Sequence, residues 1–64
     1  MDNKQIDTSN PFIVGGAGEY VQIMMPPRGP ISKEKALNLA AWLVAIADPL
    51  EEEFPKVLRA IMNA

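Results

Sequence analysis

The chain has 64 residues, a formal charge of -2 and neither cysteine nor histidine. Disulfides, zinc fingers and thiol or imidazole catalysis are therefore excluded. A chain this short builds one small core and buries only about 60% of its unfolded surface, which leaves oligomerisation as the available support. The sequence pI of about 4.8 argues against binding to duplex nucleic-acid backbone. The apolar run Ala36–Ala47 falls short of the roughly twenty residues that span a bilayer. Met1-Asp-Asn-Lys-Gln5 lacks the apolar region of a secretory signal. The expectation is a cytoplasmic chain with no membrane partner.

Met1–Asn10 is polar, with Ile6 its one large apolar residue besides the initiator, and reads as a flexible tail. Residues 11–64 then read as a single ββαα domain. Pro11-Phe-Ile-Val14 is a short β-forming run, with a strand starting at its proline. Gly15-Gly-Ala-Gly18 reads as the turn of a hairpin. No Lys-Ser/Thr and no helix follow it directly, so a phosphate loop is not supported. Glu19–Met25 is the second strand, with Tyr20, Gln22 and Met24 on one face and Val21, Ile23 and Met25 on the other. Pro26-Pro-Arg-Gly-Pro30 ends it, because proline cannot donate to a ladder.

Ser32 is a good N-cap for a helix over Lys33–Ala47, rich in alanine and leucine. Lys33, Leu37, Leu39, Ala40, Trp42, Leu43, Val44, Ile46 and Ala47 spread over an arc of roughly 220°, far wider than the stripe of an ordinary surface helix. Glu34, Asn38, Ala41 and Ala45 share the face left for water. This helix is expected to be buried, with neighbouring copies supplying part of its cover. Asp48-Pro49, with Glu51 beyond, forms a helix start signal. Leu50, Phe54, Val57, Leu58, Ile61 and Met62 follow at helical spacing. Pro55 removes one helical amide, which predicts a turn of helix at 49–53, a kink or break, and an amphipathic helix over Phe54–Met62. The fold class is α+β, an N-terminal hairpin, a buried helix and a second helix, assembled as a homo-oligomer.

Catalysis has little to work with, and no enzyme, metal or cofactor is expected. Glu51-Glu-Glu53 reads as solvated acidic residues near a positive helix end. The positive charge is more informative. Arg28, Lys33 and Lys35 are half of the six Lys and Arg residues, and two of them lie in a first helical turn, where the dipole disfavours cations. Helix N-termini accept phosphate and carboxylate groups. Arg28, Gly29, Ser32, Lys33 and Lys35 are therefore the candidate anion or nucleotide site. The competing reading is a solvated basic turn, or one that pairs with Glu51–Glu53 of a neighbouring subunit. Tyr20, Met24, Leu39, Trp42, Leu43 and Ile46 are the candidate interface and stacking residues, with Trp42 as core or interface anchor ahead of a role on a nucleobase.

The run from Pro26 to Asp48, above all its Ala-Leu-Asn-Leu-Ala-Ala-Trp-Leu-Val-Ala block, together with Asn10-Pro-Phe12, resembles a group of very small proteins encoded by tailed bacteriophages. The resemblance covers about residues 10–62. It implies an accessory protein in the host cytoplasm. Small phage proteins of this size often inhibit host defence, and some are oligomeric sponges that hold nucleotide second messengers between subunits. That implies self-association with a nucleotide ligand as the leading function. A module that docks on a host or phage protein, or a structural or regulatory dimer, is the alternative.

Overall fold

The computed structural model describes residues 6–64. The expected tail falls partly on residues 1–5, which lie outside the described residues. The elements run β1 (Val14–Ala17), β2 (Tyr20–Ile23), α1 (Lys33–Ala47) and α2 (Phe54–Met62). The fold is thus a small α+β arrangement of one antiparallel hairpin and two helices.

The hairpin is tighter than the sequence suggests. β1 pairs with β2 in the register Val14↔Ile23, Gly15↔Gln22, Gly16↔Val21 and Ala17↔Tyr20. Only Gly18-Glu19 is left as the connection, and Gly18 supplies the positive φ of 63° that a two-residue turn needs. The expected turn at Gly15–Gly18 is therefore corrected: Gly15, Gly16 and Ala17 are strand residues. The expected strand start at Pro11 also moves, since Pro11-Phe12 forms a turn. Two bonds extend the pairing beyond the regular strands, from the Met24 amide to the Ile13 carbonyl (3.1 Å) and from the Met25 amide to the Phe12 carbonyl (3.0 Å).

Close packing explains the glycine in β1. A Cβ at Gly16 would lie 3.3 Å from Cγ2 of Ile46, so the missing side chain lets α1 approach the strand. Pleating puts Val14, Gly16, Val21 and Ile23 on that face, and Val14, at 5% exposure, is the buried hydrophobic residue among those described.

Ser32 caps α1 as expected, its Oγ accepting from the Lys35 amide at 3.1 Å. Within the protomer α1 is only partly covered. It contains no buried residue; Leu39, Ala40, Trp42, Leu43, Val44 and Ile46 are half-buried, while Lys33, Leu37 and Ala47 stay exposed. One hairpin of four-residue strands is too narrow to cover the whole apolar arc.

Asn38 departs from its expected place on the water face. Its side-chain amide donates to the carbonyls of Asp7 (3.0 Å) and Ser9 (2.9 Å), and the indole N–H of Trp42 donates to the same Ser9 carbonyl at 2.7 Å. The tail segment thus lies over α1. Asn10 continues the attachment: its Oδ1 accepts from the Val14 amide at 2.9 Å, and its Nδ2 donates to the Val14 carbonyl at 3.0 Å. The Oδ1 of Asn38 is buried without a partner, a cost that the two donated bonds offset.

Asp48 governs the second junction. Its amide donates to the Val44 carbonyl at 2.7 Å and closes α1. Its carboxylate accepts from the amides of Glu52 (3.1 Å), Glu53 (3.0 Å) and Phe54 (2.7 Å). Residues 49–53 are turn and bend, with Glu51 at a φ of 55°. The expected helical turn there is therefore corrected. Pro55 falls in the first turn of α2, where a missing amide costs nothing and no kink results.

Candidate functional site

The basic turn follows directly from strand-ending prolines and a helix start. Gly29 takes a φ of 84°, a left-handed conformation that glycine adopts without strain, and the chain then enters α1 through Ser32. Arg28, Gly29, Ser32, Lys33 and Lys35 are all exposed. The Ser32 hydroxyl already accepts the Lys35 amide, so any anion at this place would meet the leading amides and the basic side chains rather than a free cap.

The tail shares this turn electrostatically. The Ser9 hydroxyl, followed by the Ser9 amide, holds the Asp7 carboxyl below its ordinary value, and Lys35 acts in the same direction. The distances from Ser9 are 2.6 Å for the hydroxyl and 3.0 Å for the amide. Part of the positive field is thus answered within the chain. An open concavity of about 500 Å³ lies beside the tail, lined by Ile6, Asp7, Thr8 and Ser9. Its single charged side chain is acidic, so it does not serve an anion.

The expected interface set divides. Tyr20 and Met24 stand exposed at 78% and 64% on the outer face of the hairpin. Leu39, Trp42, Leu43 and Ile46 are half-buried within the protomer, with Ile46 over Gly16 and Trp42 held by Ser9. The indole N–H is already engaged, which favours the anchor reading of Trp42 over a stacking platform.

No protein-family model, curated protein or solved structure matches the chain.

What the sequence underweighted is the second helix. Phe54, Val57, Leu58, Ile61 and Met62 are all exposed, and α2 contains no buried residue. Their helical spacing is plain in the sequence. That the rest of the chain leaves them uncovered is not, because coverage depends on where the Asp48 junction directs the helix. Lys56 pairs with Glu53 at 3.8 Å, a largely solvated contact. No cluster of acidic side chains among the described residues is arranged to hold a metal ion. No helix among them is long and apolar enough to cross a membrane.

Proposed function

We propose that the protein is a non-catalytic binding module, an accessory protein of a tailed phage that acts against host defence by docking on a protein partner. The observation that carries this reading is the outer face of the hairpin. Tyr20 and Met24 are exposed on it, Met25 is exposed just past the end of β2, and the basic turn of Arg28 and Lys33 follows in the chain. Methionines adapt to varied partner surfaces, while a flanking positive charge steers an acidic partner and fixes its orientation. The phage context comes from the resemblance of the Pro26–Asp48 run, and the step from that group to a defence-inhibiting role is analogy.

A second reading is favoured by a separate observation. Arg28 and Lys33 are exposed, and Lys33 opens a capped helix, whose leading amides suit phosphate. In this reading an oligomer sequesters a nucleotide second messenger.

One experiment separates the two. Thermal melts are recorded with cyclic dinucleotides and ADP-ribose-type nucleotides, and affinity capture from infected host cells is run in parallel. Docking predicts no nucleotide shift and one captured host protein, lost with Tyr20→Asp and Met24→Asp together. Sequestration predicts a rise of several degrees with one nucleotide, abolished by Arg28→Glu with Lys33→Glu.

A further inference from the structure

We propose that α2 is a self-association helix: two copies of the chain pack their α2 faces against each other, antiparallel about a two-fold axis. The face is well formed. Phe54, Val57, Leu58, Ile61 and Met62 occupy one arc of about 140°, opposite Lys56 and Asn63, with Arg59 towards its flank. A nine-residue helix is too short to persist in water on backbone bonds alone and takes its stability from packing. Among the described residues none of its side chains is buried.

The chain is more open than a compact monomer. The chain exposes 5755 Å², whereas a compact monomer of its 7.0 kDa exposes about 4000 Å². The excess of about 1700 Å² belongs to the whole chain, and the exposed apolar side chains of α2 are part of it. The radius of gyration agrees, at 13.2 Å against about 11 Å for a compact chain of this length.

Charge selects a second copy as the occupant. Glu51-Glu-Glu53 precedes α2, and Arg59 lies in its last turn. Antiparallel packing places Arg59 of one copy beside the acidic start of the other, twice by symmetry, and it opposes the two helix dipoles. Leu50, exposed at 76% just ahead of the helix, extends the apolar surface. A membrane fits less well, because three glutamates stand just ahead of the helix in a chain of net charge -2, and anionic lipid repels them.

The test is sedimentation equilibrium of the full chain in the micromolar range, with circular dichroism on the same samples. The wild type is expected at twice the 7.0 kDa of one chain. Ile61→Asp is expected to weaken association by about 30-fold or more, the loss of a central apolar anchor. Arg59→Glu is expected to weaken it about threefold, and Arg59→Glu combined with Glu52→Arg to restore it. A wild type that stays at 7.0 kDa, whether or not it binds anionic vesicles, overturns the proposal. So does an Ile61→Asp chain with wild-type mass. If Ile61→Asp melts α2, the charge pair still decides, and failure of the double reversal to restore the dimer counts against the proposal.

Discussion

The indole N–H of Trp42 donates to the carbonyl of Ser9 at 2.7 Å, across 33 positions of the chain. One turn earlier on the same helix, the Asn38 amide reaches the same carbonyl. A polar tail segment is thereby fixed to the apolar helix by two neutral donors. Trp42→Phe keeps the aromatic packing and removes one donor, and it is expected to cost about 1 kcal/mol in urea unfolding. Asn38→Ala is expected to cost a similar amount, about 1 kcal/mol. The double variant is expected to cost clearly less than the sum, because both substitutions release one strap. Strict additivity would mean that the two donors act independently.

The hairpin offers a matched pair of substitutions. An added Cβ at Gly16 meets Ile46 at 3.3 Å, while one at Gly15 meets nothing within 4 Å. Gly16→Val is expected to destabilise by about 1–3 kcal/mol through overpacking. Gly15→Ala is expected to be neutral or to stabilise by about 0.5 kcal/mol, because it restricts the unfolded chain. Thermal melts of the two variants check the contrast, which disappears if α1 does not lie on β1.

These two sites also show what the sequence conveys and what it hides. The bounds of α1 and its Ser32 cap are plain in the sequence, since helix propensity, the capping serine and the flanking prolines agree. The bounds of α2 are equally plain from its apolar spacing. Gly15 and Gly16 mislead because turn chemistry and close helix approach select the same residue. Asn38 misleads because a lone polar residue on an apolar helix reads as a water face, whereas its donors serve the backbone of a distant segment. A signal is present there: Asn38 and Trp42 are the two side-chain N–H donors in the run Ala36–Ala47, and they stand four residues apart. Arg28, Lys33 and Lys35 follow the sequence expectation only in being exposed. Burial of α1 cannot be read from its own pattern, because it depends on how much cover the hairpin supplies.

Acid should loosen the second junction and the tail together. The Phe54 amide, then those of Glu52 and Glu53, hold the Asp48 carboxyl below the ordinary 3.8, with Lys56 adding to them. The Asp7 carboxyl is lowered in the same direction by Ser9. A carboxyl depressed on folding contributes stability that is fully present above its unfolded value and is lost as pH falls through the folded value. The urea midpoint is therefore expected to hold from neutral pH to about 4 and to drop below it. Asp48→Asn should flatten that drop, and an unchanged acid profile in this variant would remove Asp48 from the account.

Glu51 holds a φ of 55°, a conformation that costs a residue with a Cβ about 1 kcal/mol. Glu51→Gly is expected to recover about 0.5–1 kcal/mol in thermal or urea unfolding. A loss of stability in this variant would mean that the Glu51 side chain does more for the junction than its backbone strain costs.

The central claim is that a single protomer leaves α2 without the cover that its sequence calls for, and that a second copy supplies it. Amide hydrogen exchange of residues 57–62, followed as the protein is diluted, tests this most directly. The account predicts protection that falls on dilution in these amides, while the amides of β1, β2 and α1 change far less. Protection of α2 that is the same at every concentration, or absent throughout, would contradict it.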